Sequence, residues 1–314
     1  MTAKEAVSRF VKDGDQVALG GFTVNRNPMH LIREIIRQGR RSLYLVVHSQ
    51  GQGLELLIGA GCVERVEIAY GGLGRFAPTG HRFKKAVLRG QIEVEDYSNL
   101  QMTLRFMAGA MSLPFMATTV GLGTDIVNKT GFSAQVRGRG KVPPHKLKVM
   151  ANPLDEAAGS VVILPPLNPD VALIHAQYVG QDGTVRIKGL TFADIEQAKA
   201  AKRVIVSCEE IVSAAFIRSD PDQNSLPFFL VDAIVPAPFG AHPTACHLFY
   251  DYDPKHLKHF HALAQDDDLF KRYLDEWVYS IETQETYLAK IGRTDLESIK
   301  ADPKVGYAIG LDRS

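Results

Sequence analysis

The sequence predicts an α/β protein: an open, mostly parallel sheet with flanking helices and a helical C-terminal extension. Three observations carry this. Short apolar runs rich in β-branched residues alternate with amphipathic segments of helical period through most of the chain, the signature of repeated βα units. Several runs end in glycine-rich or polar turns, at Gly20-Gly21-Phe22, His48-Ser49-Gln50-Gly51 and Gly71-Gly72-Leu73-Gly74. Beyond Tyr250 the strand pattern gives way to helical segments. No linker divides the chain, so residues 1–314 are expected to form a single domain, with about 250–314 as the extension.

The chain carries 36 basic and 35 acidic side chains. That balance provides no field for general nucleic-acid binding. No apolar run is long enough for a membrane span. The N-terminal residues lack the apolar core of a signal peptide, so the expected location is cytoplasmic. Cys62, Cys208 and Cys246 are odd in number and far apart, which suits reduced thiols better than a disulfide frame or zinc site.

Taken in order, Thr2-Ala3-Lys4-Glu5 forms a capping box and starts a helix running to about Val11. Val17-Ala18-Leu19 reads as a buried strand, followed by the double glycine and a polar turn. Pro28 suits the first turn of the helix that follows, where its missing N–H costs nothing. Two glycines after a strand let backbone amides approach a ligand, and the helix N-terminus favours an anion. Strands are expected over 42–47, 63–70 and 91–97 and a helix over 81–89. Ser98-Asn99-Leu100-Gln101 is a second capping box, opening a helix to about Ser112. Residues 129–148 hold Arg137, Arg139, Lys141 and Lys146 among glycines and prolines and read as a solvated basic loop. Strands follow over 161–164, 171–175 and 204–208, with an Asp182-Gly183 hairpin signal between them.

Familiar catalytic patterns are missing. There is no phosphate-binding G-x-x-x-x-G-K-[ST], no G-x-G-x-x-G, no G-x-S-x-G elbow, no HExxH and no paired CxxC. His256, His259 and His261 read as a surface cluster rather than a metal site, because no carboxylate or cysteine stands at ligand spacing. Glu209 and Glu210 follow a strand and read as solvated or capping carboxylates. No metal is expected.

A set of short motifs occurs in a fixed order: GGFTVNRNP from Gly20, then Glu95-Asp96-Tyr97-Ser98, Leu113-Pro114-Phe115 and His175-Ala176-Gln177. DGTVRI from Asp182, Cys208-Glu209-Glu210-Ile211, VDAIV from Val231, FGAHP from Phe239 and Tyr250-Asp251-Tyr252-Asp253 follow. With these the chain resembles the A (alpha) subunits of the family I CoA-transferases, of the glutaconate CoA-transferase type, over nearly its whole length.

The resemblance implies a CoA-transferase-like open sheet and a B (beta) subunit partner, in an A2B2 heterotetramer or larger assembly. The active site would lie between subunits. It implies that CoA moves between an acyl-CoA and a carboxylic acid through a glutamyl-CoA intermediate on the B subunit, with coenzyme A esters as substrates and no permanently bound cofactor. The E-x-G tripeptide of the B-type nucleophile is missing here, so no catalytic nucleophile is assigned to this chain. Substrate-binding positions on the A side are expected to be the amides of Gly20, Gly21 and Phe22, with Arg26 for a carboxylate. The loop Gly71, Gly72, Leu73 and Gly74 comes next, and then Asn99 and Gln101. Two other readings share the fold: a subunit of a CoA-thioester ring-opening hydrolase, and a non-catalytic anion-binding or interaction protein. The ring hydrolases carry an acidic residue near the Asn99 position, which favours the transferase.

Overall fold

A computed structural model describes residues 1–313. The strands are β1 (Gln16–Leu19), β2 (Leu43–Gln50), β3 (Val63–Gly71), β4 (Glu93–Asp96), β5 (Met116–Thr118), β6 (Lys148–Ala151), β7 (Ser160–Leu164), β8 (Val171–Gly180), β9 (Val185–Arg186), β10 (Val204–Val212) and β11 (Ala233–Pro236). The main sheet runs β11-β10-β8-β1-β2-β3-β4, and every neighbouring pair along it is parallel. β9 folds back antiparallel on β8 through the Asp182-Gly183 turn. A small antiparallel sheet, β5-β7-β6, stands apart.

Parallel pairing puts all the main strands' C-terminal ends on one edge, and both faces must then be covered. Side-chain alternation meets that demand. Val17 and Leu19 of β1 and Leu43, Leu45 and Val47 of β2 join a core with helices Met29–Arg37 and Gln52–Gly59 and the C-terminal helices. Ala18, Tyr44 and Val46 face the other way, against helix Asn99–Ala110 and the small sheet. The C-terminal helices, beginning with Pro254–Ala264, seal the first face through Leu257, Phe260, Phe270 and Val278.

Both capping boxes form. Thr2 Oγ1 accepts the Glu5 amide at 3.2 Å and Glu5 takes the Thr2 amide at 2.8 Å. Ser98 Oγ accepts the Gln101 amide at 3.1 Å while Gln101 Oε1 takes the Ser98 amide at 3.0 Å. The strands extend past the expected ends of β2, β8 and β10, because pairing continues along β8 and β10 as far as Gly180 and Val212.

Residues 129–148 depart from the solvated-loop reading. Arg137 pairs with buried Glu95. Lys146, only 3% exposed, donates to the carbonyls of Ile126 (2.7 Å) and Lys129 (2.9 Å) and lies 3.2 Å from Asp96. The segment therefore packs as a cover over β4, and its end forms β6. His256 also departs: it is buried, with Nε2 2.8 Å from the Tyr273 hydroxyl.

One buried ion pair ties the cover helix to the sheet. Arg105 of helix Asn99–Ala110 meets Glu67 of β3, and neither has appreciable exposure. Arg105 also donates to the Pro165 carbonyl at 3.0 Å and lies over the Tyr97 ring at 4.1 Å. Tyr44 donates its hydroxyl to Glu67. Removing one charge leaves the other buried and unpaired, at a cost of about 3–5 kcal/mol. Glu67→Leu and Arg105→Met should each lower stability by that amount in urea unfolding. The double variant should lie closer to wild type than either single one, and an additive double loss would refute the pairing.

Candidate functional site

The C-terminal edge of the parallel sheet is where open α/β folds place ligands. Its topological switch point lies between β1 and β8, since the chain builds outward from β1 on one side and from β8 on the other. An ion pair of the protein's own closes the base of that gap, below a cavity of about 300 Å³ lined by Arg26, Lys188 and His247. Arg26, 3% exposed, sends Nη1 to Asp194 Oδ2 at 2.6 Å and to the His175 carbonyl at 3.3 Å, and Nη2 to the Leu190 carbonyl at 2.8 Å. The other Asp194 oxygen accepts the Gly21 amide at 2.8 Å.

The amides expected to receive a ligand are therefore committed. Gly20 donates to the Leu173 carbonyl at 2.9 Å, Gly21 to Asp194, and Phe22 to the Asn25 carbonyl at 2.8 Å. Arg26 is likewise a structural ion-pair residue and not a free carboxylate receptor. The glycines act by allowing close approach: Gly21 has φ +81°, and a Cβ there would lie 2.5 Å from the Asn25 oxygen. Thr23 and Arg26 hold positive φ values of 48° and 49°, uncommon for non-glycine residues and rarer still for a β-branched one. The amides of both are held from neighbouring elements, Thr23 by the Ser49 carbonyl at 3.1 Å and Arg26 by the Ala245 carbonyl at 2.7 Å.

The open crevice lies to one side of this plug, over the ends of β1 to β4, with a volume of about 560 Å³. Phe22 and Thr23 wall it after β1, Ser49 ends β2, and Ala69 and Tyr70 end β3. Gly74 follows β3, and Tyr97, Ser98 and Asn99 follow β4. Of the ten positions expected from the sequence, Phe22, Gly74 and Asn99 line it. Gly71, Gly72 and Leu73 are buried, with the Gly72 amide on the Gln50 carbonyl (2.9 Å) and the Leu73 amide on the Ala77 carbonyl (2.8 Å). Gln101 turns inward: it completes the capping box and donates to the Val120 carbonyl at 3.0 Å, with no exposure.

Ser49, Thr23 and Tyr70 were not foreseen as site residues, although each sits in or beside a polar turn after a strand. Ser49 is wholly buried and donates Oγ to Asn99 Oδ1 at 3.0 Å. That bond fixes the exposed Asn99 amide at the N-terminus of its helix. Phe22 stacks on Phe192 at 4.4 Å and tilts against His48 at 5.7 Å. Burial holds the His48 pKa below its ordinary value, against an opposing pull from Asp194. The carboxylates at the end of β4 are paired, Glu95 with Arg137 and the Gly131 amide (2.6 Å), Asp96 with Lys146.

A deeper polar cluster is also closed. His175 Nε2 lies 2.7 Å from Glu209 Oε1, which accepts the Tyr250 hydroxyl at 2.6 Å. Glu209 Oε2 accepts the Phe239 amide at 2.7 Å, and His175 Nδ1 lies 2.8 Å from Ser207 Oγ. Cys246 stands close enough to make a three-donor group with His175 and Glu209. Burial pushes its thiol pKa well up, and the other two donors are used on their neighbours. Glu209 is thus a structural carboxylate rather than a solvated one, while Glu210 is exposed.

Glu55, 1% exposed, supports the loop after β3 from behind: it accepts the amides of Arg82 (2.9 Å) and Phe83 (2.7 Å) and fills the space beside Gly80. Desolvation raises its pKa from 4.5 to about 7 despite those bonds. The folded state then keeps a proton that the unfolded chain releases. The stability this group contributes is full below about pH 4.5 and is lost as pH rises through 7. Glu55→Gln should remove that loss, so the stability of wild type relative to the variant should fall between those pH values; a flat difference in urea unfolding refutes the assignment. At the plug, Arg26→Met should cost about 3 kcal/mol by stranding Asp194. Arg26→Lys should not restore it, because an ammonium cannot reproduce the planar fork. A carboxylate receptor in solvent would show neither loss.

Residues 1–237 match the family described as Coenzyme A transferase. Over 314 residues, all of this chain and 98% of the relative, the sequence is 39% identical to the A subunit of glutaconate CoA-transferase from Acidaminococcus fermentans. The crystal structure of glutaconate coenzyme A-transferase from that organism superposes with a TM-score of 0.95, covering 98% of each chain. Identity to the A subunit of 3-oxoadipate CoA-transferase from Pseudomonas knackmussii is 33%, over 93% of this chain and 97% of the relative. The IpdA subunit of a cholesterol ring-cleaving hydrolase from Rhodococcus jostii is 28% identical, over 84% of this chain and 86% of its own. The ordered motifs and the parallel sheet have their counterpart in these full-length similarities, and the chain belongs to the coenzyme A transferase family.

Proposed function

We propose that this chain is the A subunit of a two-chain CoA-transferase that moves coenzyme A between an acyl-CoA and a carboxylic acid. The observation that carries this reading is the make-up of the crevice. It is walled by neutral polar side chains, Thr23, Ser49, Tyr70 and Asn99, beside the aromatic Phe22. The carboxylates that precede it on β4, Glu95 and Asp96, are held by cations.

Such a surface binds an acyl carbonyl or carboxylate and offers nothing to attack it. The nucleophile then belongs to a B subunit, whose glutamate would exchange the acyl group and CoA through a glutamyl-CoA thioester. Splitting the transfer into two half-reactions is the advantage of covalent catalysis. On this side of the site, the Asn99 amide, aimed by Ser49, donates to the substrate oxygen where negative charge develops. Phe22 and Gly74 shape the wall around it. Ser49 acts through Asn99 and is a positioning residue. The same make-up disfavours ring-opening hydrolysis by a carboxylate base, since both carboxylates at the end of β4 are held in ion pairs.

The complex with its B subunit should transfer CoA, while the isolated chain should not. Full activity of the chain alone overturns the proposal, and so does product formed without a carboxylate acceptor. Asn99→Ala in the complex should lower kcat/KM by about 10²-fold with an unchanged unfolding midpoint. Ser49→Ala should have a smaller effect in the same direction. Mass spectrometry of the trapped thioester should place it on the partner.

A further inference from the structure

A second cavity stands over the Arg26–Asp194 pair, at the reversal of strand order between β1 and β8. Its volume is about 300 Å³, at the low end of the range for small-molecule sites. Lys188 and His247 line it, together with the rings of Phe192, Tyr252 and Tyr307. Phe192 also stacks at 4.4 Å on Phe22, which lines the crevice. The two rings therefore stand between the two cavities.

The charges around this cavity do not balance. Asp251 is the one carboxylate among the described lining residues, and Arg313 pairs with it. Arg26 is neutralised by Asp194. Lys188 and His247 join no ion pair among the described residues. Burial, with the charge of Arg186, holds the Lys188 ammonium below its ordinary pKa, against a pull from Asp220. A half-buried ammonium without a counter-ion is a receptor for an anion.

Both residues are held from behind by one side chain. Gln177 of β8, with no exposure, accepts the Lys188 amide at 2.9 Å. Its Nε2 donates to the Lys188 carbonyl at 3.1 Å and to the His247 carbonyl at 3.0 Å. The His247 imidazole packs against Gly189 and Gly306, at φ +79° and +77°, and a Cβ on either would run into it. Tyr307 tilts against the same ring at 5.2 Å. An ammonium and an imidazole are thus brought to one cavity on a fixed backbone, beside an aromatic face. Such a lining meets a carboxylate with its polar pair and a planar carbon body with its rings.

We propose that this cavity is a second ligand site, separate from the crevice, for a small organic acid with a planar or aromatic body. Lys188 and His247 hold the carboxylate, while Phe192, Tyr252 and Tyr307 enclose the body. The inference goes beyond the transferase reading and does not rest on it. An occupant meets Phe192, the ring that backs Phe22 at the crevice wall.

The test is calorimetric titration of the full chain with benzoate, benzamide and inorganic phosphate. Benzoate should bind more tightly than either of the others. Lys188→Met and His247→Gln should each weaken it about tenfold, the loss of one charge-assisted contact. Tyr307→Ala, at an exposed ring, should weaken it severalfold. Asn99→Ala, in the crevice, should leave it unchanged. A thermal melt of each variant checks that it remains folded. Failure of benzoate to bind the wild-type chain overturns the site. Benzamide binding as tight as benzoate does the same, since the carboxylate would then go unrecognised. Phosphate binding tighter than benzoate marks an inorganic-anion site and overturns the organic one. Loss of benzoate binding in Asn99→Ala but not in Lys188→Met places the ligand in the crevice and refutes the second site. The transfer assay of the A–B complex decides the functional reading separately, and its failure leaves these titrations intact.

Discussion

The front edge of the protein depends on the two oxygens of Asp194. One holds the Gly21 amide at 2.8 Å and the other the Arg26 guanidinium at 2.6 Å. Asp194 starts the short helix that covers β8, whereas Gly21 and Arg26 belong to the turn after β1. A single buried carboxylate therefore joins the two halves of the sheet at their C-terminal edge. It also compensates a turn with several residues at positive φ. Without that anchor the turn would lose its principal cross-link to the β8 side, and the Phe22 ring would lose its fixed place at the crevice wall. A buried charge pair is seldom a net source of stability against apolar replacements. Its value here is positional, because it allows only one path for the backbone between β1 and the helix that follows.

The same economy governs the carboxylates around the crevice. Glu67, Glu95 and Asp96 lie on β3 and β4, and each is matched by a cation from outside the strands: Arg105, Arg137 and Lys146. The pairing offsets the negative charge of all three. It leaves short neutral donors on the surface. On the proposed function, a neutral wall of donors suits a carboxylate through hydrogen bonding and supplies no carboxylate nucleophile of its own. It is the ground on which we propose that the covalent step belongs to another chain.

The local features of the fold were legible in the sequence because they are set by nearby residues. The two capping boxes, the Asp182-Gly183 hairpin and the strands ending in glycine turns follow from chemistry within four or five positions. The site was legible only as an address. Gly20, Gly21 and Arg26 mark the right edge of the sheet, but the partner that consumes them, Asp194, lies 168 residues beyond Arg26, and no local pattern announces it. Gln101 was misplaced for a related reason. The capping box that identified its helix start is also what turns its side chain inward. Lys146 and Arg137 looked solvated because their partners, on β4, lie far away in sequence. Ser49 was missed because a lone serine at a strand end has no signature until Asn99 is brought to 3.0 Å from it.

The position of the crevice follows from these long-range pairs. In an open parallel sheet the gap at the strand-order reversal is the default ligand site, since the loops diverge there and expose helix N-termini. Here the reversal lies between β1 and β8, and the Arg26–Asp194 pair closes its base. The pair also uses the carbonyls of His175 and Leu190 and the Gly21 amide. The opening is shifted by one strand and spreads over β1 to β4, where the loops carry side-chain donors instead of free backbone amides. On the proposed function, recognition at this edge depends on the identity of a few side chains, Asn99 foremost, and not on a generic backbone nest. On the same function, substitution at the crevice wall would change the choice of acid while the plug that sets the geometry stays intact.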